Sequence, residues 1–149
     1  MHMDTVLHVR HFSQLTTGEL YKIYRLRVSV FVVEQHCPYQ EVDELDPCAY
    51  HVWLESGGEI VAYARVLPQG TAFESVCIGR VIATKRRCGL GTQIVAAAID
   101  TAKKQFGAGK ITLEAQVYAK SLYEKAGFRV VSDEFSEDGI PHVRMEAEV

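Results

Sequence analysis

A short glycine-containing loop, residues 86–92, carries the clearest chemical signal in the sequence. It reads Arg-Arg-Cys-Gly-Leu-Gly-Thr and lies between an apolar run, residues 77–83, and a stretch rich in small apolar residues that begins at Ile94. Glycine lets a backbone approach an anion closely, and the N-terminus of a helix directs unpaired N–H groups and the positive end of its dipole at that anion. The order of strand, loop and helix therefore favours a binding site for a pyrophosphate group.

The two standard nucleotide fingerprints do not fit this loop. No lysine follows the glycines as a phosphate-binding P-loop requires, and the segment after Gly91 lacks the third glycine of a dinucleotide-binding turn. The position of the loop between a predicted strand and a predicted helix is therefore more informative than its amino-acid sequence.

The apolar pattern around the loop predicts a mixed sheet with helices on its faces. Strands are predicted at residues 6–12, 51–54, 60–66, 73–83, 111–116, 128–131 and 142–147, and helices after the capping-box pattern of residues 16–19, from Ile94 to the glycines at 107 and 109, and at residues 119–126. Residues 35–47 carry two prolines and four acidic side chains without periodicity, which indicates an ordered loop or a short helical turn. We therefore expect an α+β fold in a single domain, residues 1–149.

The bulk properties of the chain limit the function classes. With 149 residues, of which 48% are hydrophobic, the chain is long enough for one substantial core. The net charge of -3 gives no basic field for nucleic acid, and no apolar stretch approaches the roughly 20 residues that span a bilayer. The four cysteines form no metal-binding or redox pair, and no signal region is evident. We expect a cytoplasmic protein that binds neither nucleic acid, membrane nor metal.

Several segments together resemble a known family. The loop at residues 86–92, followed by Ala-Lys-Ser-Leu-Tyr-Glu-Lys-Ala-Gly-Phe at residues 119–128, resembles the GNAT-type N-acetyltransferase superfamily. The segments 26–35 and 37–40, with Asp43 and the Glu-Asp-Gly-Ile-Pro-His run ending at His142, resemble its ElaA-like subfamily. The resemblance covers nearly the whole chain. It implies a mixed, mostly antiparallel central sheet flanked by helices, with a splayed strand pair at an acetyl-CoA site.

Acetyl-CoA is the co-substrate that this resemblance implies. Arg86, Gly89 and Gly91 match fixed positions of the family's pyrophosphate loop, in which other residues offer backbone N–H groups. Those other loop residues are Arg87, Cys88, Leu90 and Thr92. The preceding strand, whose main chain would pair with the amides of the pantetheine arm, consists of Gly79, Arg80, Val81, Ile82 and Ala83. Gln116 is the nearest substitute for the asparagine that usually contacts the same arm.

The resemblance also implies candidates for the chemistry. Acetyl transfer to an amine needs a neutral nucleophile, a donor for the developing oxyanion and a proton for the departing thiolate. Tyr123 matches the family's tyrosine, and a phenol with a pKa near ~10 stays protonated at neutral pH. Glu34 could accept the proton of the amine or bind a cationic substrate. Glu114 lies where several members place their base, although its interval to Tyr123 looks shorter here.

The acidic loop before the second predicted strand could select the acceptor. Its four carboxylates would attract a positively charged substrate, although such a charge run is also typical of a solvated surface. Tyr39, Asp43, His51 and Glu34 are the candidate substrate-binding residues on this side. His51 and His142 could shuttle protons or be structural.

We therefore expect an enzyme that moves an acetyl group directly from acetyl-CoA to a primary amine in a ternary complex. The acceptor would be a small molecule or a peptide, and family members are often dimers, which leaves a homodimer open. Two alternatives remain. Cys88 could form an acyl-cysteine intermediate, although no recognisable base lies beside it. The chain could also be a CoA-binding regulatory module with vestigial catalytic groups.

Overall fold

The described residues form one mixed sheet of eight strands with α-helices on its faces, an α+β fold. The computed structural model describes residues 4–86 and 88–149, so the expectation for Arg87 lies outside the described residues. The strands are β1 Val6–His11, β2 Tyr50–Ser56, β3 Glu59–Leu67, β4 Val76–Ala83, β5 Lys110–Gln116, β6 Arg129–Val130, β7 Phe135–Glu137 and β8 Ile140–Glu148. The helices are α1 Thr17–Val28, α2 Leu90–Phe106 and α3 Lys120–Lys125.

The sheet is antiparallel except at one strand pair. Its spatial order is β1-β2-β3-β4-β5-β8-β6, with β7 pairing the free end of β8. β4 and β5 run parallel because α2 crosses over between them, and their pairing joins Val76 to Ile111 and Cys77 to Thr112. In the described chain the two strands pair nowhere beyond these residues, so they part and leave a gap in the middle of the sheet. This confirms the predicted mixed sheet with a splayed strand pair.

Apolar faces on both sides of the sheet hold the helices. On one face α2 buries Ile94, Val95 and Ala98 completely against the strands. On the other face α1 packs Ile23 against Trp53 and its neighbours. Side chains of the size of Ile94, Val95 and Ile23 each contribute about 1.5–3 kcal/mol through their removal from water. The two helices therefore fix the sheet from opposite sides and leave the gap between β4 and β5 accessible at its edge.

Most predicted elements are confirmed, and the ends of the helices follow local signals. Thr16 and Glu19 form the predicted capping box: the Thr16 N–H donates to Glu19 Oε1 at 2.9 Å, and the Glu19 N–H donates to Thr16 Oγ1 at 3.1 Å. α2 begins at Leu90, earlier than the predicted Ile94, because Gly89 directly precedes its first turn. α1 continues into a π-helical turn, Ser29–Glu34, and β7 was not predicted. Three residues are too few to show the alternation that marks a strand.

Candidate functional site

The gap between β4 and β5 opens a cleft of about 1340 Å³. It brings together residues that are far apart in the sequence, from the end of α1, the loop after it, β4, the start of α2, β5 and α3. The sequence-predicted residues that line it are Glu34, Tyr39, Asp43, Gly79, Arg80, Val81, Ile82, Ala83, Arg86, Gly89, Leu90, Gly91, Thr92, Glu114, Gln116 and Tyr123. Cys88 and His51 do not line it.

The start of α2 forms one end of the cleft, and its two glycines act for different reasons. Gly89 has a φ of +73° as the residue before the helix, a backbone conformation that other residues rarely adopt. A Cβ on Gly91 would lie 3.3 Å from Leu122 Cδ2, so glycine allows α2 to approach α3 closely. No side chain caps the first turn of α2, and Arg86 lies beside it. This arrangement fits a pyrophosphate group, which needs N–H donors and a cation.

The β4 strand forms the long wall of the cleft. One extra residue in β4 makes a bulge opposite β3, where Tyr63 pairs with Ile82 but Arg65 pairs with Gly79. Arg80 lies at this bulge with a φ of +54°. Because β5 has already diverged, the backbone of β4 from Gly79 to Ala83 faces the cleft without a strand partner on that side among the described residues. This edge can accept the extended, amide-bearing arm of CoA by main-chain hydrogen bonds.

Tyr123 lies on α3 at the inner wall of the cleft. Its side chain is 8% exposed and packs edge-on against Phe128, with ring centroids 6.2 Å apart. Burial, together with nearby Tyr118, raises the pKa of Tyr123 above its ordinary value. The hydroxyl makes no hydrogen bond to another described residue. It therefore keeps its proton at neutral pH and is available as a donor to a bound group.

The acidic loop before β2 is built around a buried arginine. Arg27 of α1 is fully buried, with Nε 2.7 Å from Glu41 Oε2 and Nη1 2.6 Å from Asp46 Oδ1. Glu41 and Asp46 are themselves only 3% and 0% exposed. Burial opposes the ionisation of Asp46, but the hydrogen bond and charge of Arg27 outweigh it and lower the pKa of Asp46. These two carboxylates therefore anchor the loop to α1 instead of facing a substrate.

Two further arginines pair with carboxylates of this loop. Arg65 of β3 places Nη1 2.7 Å from Asp43 Oδ1, and Arg80 places Nε 2.8 Å from Glu41 Oε1. Arg80 also lies over the ring of Tyr39, whose hydroxyl bonds to Glu41. Three arginines therefore balance three of the four carboxylates in an internal ion-pair network, which corrects the predicted attraction from the whole loop. Only Glu44, which is exposed and does not line the cleft, fits the interpretation as a solvated surface.

The two candidate bases both reach the cleft but differ in their surroundings. Glu34 is exposed, lies in the π-helical turn after α1 and forms no ion pair with a described residue. Glu114 is half-buried on β5, and its Oε2 lies 3.4 Å from Arg144 Nη2 on β8. Gln116 Nε2 donates to Gln35 Oε1 at 3.3 Å, which links β5 to the end of the turn. Glu34 therefore carries the less compensated charge of the two.

His51 is a core residue and not a substrate contact, which corrects the prediction. It is fully buried, with Nδ1 2.7 Å from the Tyr63 hydroxyl and Nε2 3.2 Å from the Asp46 carbonyl. The carbonyl only accepts, so Nε2–H donates to it and Tyr63 donates to Nδ1. Burial lowers the pKa of His51 to about 4, so the ring is neutral at pH 7.

Cys88 also lies outside the cleft. It is half-buried, and its thiol faces the Arg86 carbonyl at 3.5 Å. No described base is placed to activate it, so the structure does not support the acyl-cysteine alternative. All four cysteines of the chain are free thiols.

The cleft also contains residues that sequence reasoning missed as site residues. Glu137, Asp138, Arg144, Arg65 and Phe73 all line it, together with His142, which the sequence offered as a proton shuttle. Glu137, Asp138, His142 and Arg144 lie on the β7–β8 hairpin, whose Asp138–Gly139 turn has positive φ at both positions. An Asp-Gly pair between strand-forming residues is a strong hairpin signal, and it was the available clue to this wall of the site.

The described residues contain no group of three or more His, Cys, Asp or Glu side chains that could hold a metal ion. No helix in this part of the chain is both long and apolar enough to cross a bilayer.

Comparison with known proteins decides the family. The model of the acetyltransferase (GNAT) domain matches residues 19–149, which include every element of the cleft. The chain belongs to the GNAT acetyltransferase family. A UPF0039 protein of Schizosaccharomyces pombe is 43% identical to this GNAT chain over 94% of it and 95% of the relative. The Escherichia coli protein ElaA is 38% identical over 93% of this chain and 94% of its own length.

Solved structures show the same GNAT fold. The crystal structure of E. coli ElaA superposes with a TM-score of 0.91 over 97% of this chain and all of that one, at 35% identity. An acyl-CoA N-acyltransferase from Pseudomonas aeruginosa superposes with a TM-score of 0.88 over 95% and 99% of the two chains, at 37% identity. The GNAT chain is therefore ElaA-like, and its family makes it an acyl-CoA-dependent acyltransferase.

Proposed function

We propose that this GNAT chain transfers an acetyl group from acetyl-CoA to a primary amine by direct attack within a ternary complex. The observation that carries the proposal is the single cleft that joins an uncapped helix N-terminus, an unpaired strand edge and a protonated tyrosine. These three features match the three parts of an acyl-CoA: the pyrophosphate, the pantetheine arm and the sulfur.

The donor side of the cleft supports acetyl-CoA binding. The first turn of α2, with Gly89 before it and Arg86 beside it, would hold the pyrophosphate. The unpaired edge of β4 would align the pantetheine arm toward the point where β4 and β5 part, and Gln116 faces the same space. Acetyl-CoA supplies the acyl group as an activated thioester. The protein therefore contributes by aligning the thioester with the amine and by transferring protons.

Tyr123 would donate a proton to the departing sulfur. Burial keeps its hydroxyl protonated, and no described residue competes for that proton. A phenol O–H can donate to the sulfur as the C–S bond breaks, and it regains a proton from solvent or from the new amide nitrogen. The role needs only a hydrogen bond at the sulfur, and this predicts a loss of turnover without a loss of binding when the hydroxyl is removed.

The acceptor side favours a cationic amine, supplied by a small molecule or a peptide. Once the arginines balance Glu41, Asp43 and Asp46, and because Glu137 lies against His142, the acidic groups left facing the cleft include Glu34 and Asp138. These carboxylates would concentrate an ammonium group near the thioester. The charge selectivity therefore comes from the rim of the cleft and not from the loop that the sequence highlights.

Two measurements test the proposal together. At 100 times its Kd, acetyl-CoA should stabilise the protein by about 2.7 kcal/mol, raising Tm by several degrees, while NADH at the same concentration should not. Release of CoA across a panel of primary amines should then identify at least one acceptor. No Tm shift contradicts the donor assignment, and a shift without turnover for any amine favours the regulatory-module alternative.

The direct mechanism has its own test. Protein incubated with acetyl-labelled acetyl-CoA in the absence of amine, then denatured and desalted, should retain no label. A covalently bound label removed by hydroxylamine would instead establish an acyl-cysteine. The Cys88→Ala variant should show turnover like that of the wild type.

A further inference from the structure

The histidine on β8, His142, has a fixed protonation pattern. Its Nδ1 lies 2.7 Å from the Ile140 carbonyl oxygen. A carbonyl can only accept, so Nδ1 carries the hydrogen, and in the neutral ring Nε2 is left with a lone pair. His142 is therefore held as a proton acceptor at Nε2.

The β7–β8 hairpin holds the ring in place. Phe135 lies opposite His142 in the strand register, and the two rings stack with centroids 6.0 Å apart and an angle of 23° between their planes. Glu137 lies diagonally across the strands, with Oε2 3.8 Å from His142 Nε2. His142 is only 8% exposed, and yet it lines the cleft. Stacking, hydrogen bonding and burial leave the ring little freedom to turn.

The neighbouring strand places this histidine near the thioester end of the cleft. His142 pairs directly with Gln116 of β5. Val143 and Met145 of β8 point into the core beneath α2, so the alternating side chain of His142 lies on the opposite face of the sheet. Glu114 and Gln116 of β5 alternate with the buried Leu113 and Ala115, so they share this face with His142, and all three line the cleft. His142 Nε2 therefore lies on the cleft side of the sheet, 3.8 Å from Glu137 Oε2.

We propose that His142 is the general base of the transfer and that Glu137 is its positioning residue, an inference that rests on the proposed function. The ammonium form of the acceptor gives one proton to Nε2 and becomes the neutral amine. Its nitrogen forms the C–N bond to the acetyl carbon, the C–S bond breaks, and the electron pair goes to sulfur. Tyr123 protonates the sulfur, the nitrogen loses its second proton to restore Tyr123, and His142 releases its proton to solvent.

Charges from every neighbouring element act on this pair. The groups that face it are Glu114 from β5, Asp138 from the turn, Arg80 from β4 and Arg144 from β8. Burial, and then the charge of Glu114, raise the pKa of Glu137. Carboxylates and guanidinium groups therefore both surround the pair.

The His142→Gln variant tests the role, because its amide is polar and similar in length but cannot take a proton. At pH 7, kcat/KM for the best amine should fall by about 10²-fold or more, while the Tm shift caused by acetyl-CoA stays that of the wild type. The loss should shrink as pH rises toward the pKa of the amine, about 10, because the free amine then needs no base. The control is His36→Gln, because His36 is exposed and lies outside the cleft.

Glu137→Gln separates positioning from packing. It should lower kcat several-fold with KM little changed, and it should move the acid limb of the pH–rate profile to lower pH because the imidazolium loses its carboxylate neighbour. A His142→Gln loss that is equal at every pH, or a change of less than twofold, overturns the proposal. A wild type inactive toward every amine instead overturns the proposed function, and the role of His142 falls with it.

A measurement on the wild type keeps the proposal testable even if the variants do not fold. Nitrogen NMR of the imidazole rings should show His142 with its hydrogen on Nδ1 at pH 8. A hydrogen on Nε2 in the free enzyme would contradict the proposal, because that nitrogen could then accept no proton.

Discussion

Arg27 and Asp46 form an ion pair with no solvent exposure on either side chain, with Nη1 2.6 Å from Oδ1. The pair joins the last turn of α1 to the segment that enters β2, 19 residues later in the chain. Arg27 Nη2 also donates to the Glu41 backbone carbonyl at 2.9 Å. One guanidinium therefore anchors to α1 the loop whose residues line one side of the cleft.

Removing this guanidinium should cause a large loss of stability. Arg27→Met leaves Asp46 and Glu41 buried without their cation, and breaking a buried pair in this way typically costs 3–5 kcal/mol. The exposed Arg25 on the same helix provides the control, because Arg25→Met should change stability by less than about 0.5 kcal/mol. Urea unfolding of the two variants makes the comparison. Equal free energies of unfolding would show that the buried ion pair contributes no more to stability than the exposed Arg25.

The buried His51 should make folding sensitive to mild acid. Its pKa is lowered from 6.5 to about 4, so between these values the unfolded chain binds a proton that the native state excludes. Stability should therefore fall as pH drops from 6.5 to 4, by about 3 kcal/mol from this ring alone. In His51→Gln this part of the pH dependence should vanish from urea unfolding curves measured over the same window. The exposed His36 supplies the control variant, His36→Gln, for the loss of a histidine as such.

Two glycines with similar backbone strain separate binding from stability. Gly89 and Gly107 have φ values of +73° and +61° at the two ends of α2. Replacement of either by alanine should destabilise the protein by about 1 kcal/mol. Only Gly89→Ala should weaken acetyl-CoA binding, because Gly107 does not line the cleft. Calorimetric titration provides Kd, and equal affinities in the two variants would remove the α2 N-terminus from the donor site.

Loss of the Tyr123 hydroxyl should slow turnover selectively. In Tyr123→Phe we expect kcat to fall by 10-fold or more, while the Kd for acetyl-CoA stays within about twofold, since the ring and its contact with Phe128 remain. Tyr21→Phe is the matched control, because Tyr21 is 66% exposed and lies outside the cleft. An unchanged kcat in Tyr123→Phe would exclude the hydroxyl from the reaction.

Neutralising Glu34 and neutralising Asp43 should have different effects, because Glu34 faces the cleft unpaired among the described residues and Asp43 belongs to the buried ion-pair network. Glu34→Gln should raise KM for a cationic amine several-fold, with little effect on Tm, because Glu34 is exposed and forms no described ion pair. Asp43→Asn should mainly lower Tm, because Asp43 compensates Arg65 and Arg80. Steady-state kinetics at low and high salt provide the comparison. The KM effect of Glu34→Gln should weaken as salt screens the charge.

Local signals in the sequence predicted the elements well where they are self-contained. The capping box at Thr16 and Glu19, the glycine turn between β2 and β3, and the loop before α2 each involve residues within a few positions of one another. The three-residue β7 was not predicted because its formation depends on pairing with β8 and not on its own sequence pattern. The acidic loop was misinterpreted because its arginine partners come from α1, β3 and β4.

The sequence by itself determined the family, most of the elements and the strand–loop–helix segment at residues 77–106, because the residues that shape that segment lie together in the chain. The tertiary structure alone decided which charges are free. Arg27 occupies a polar position in a helical pattern, and only the packed fold shows that it is buried between two carboxylates. His51 and His142 likewise look equivalent in sequence. Burial and hydrogen bonding over long sequence distances make one a neutral core residue and leave the other facing the cleft.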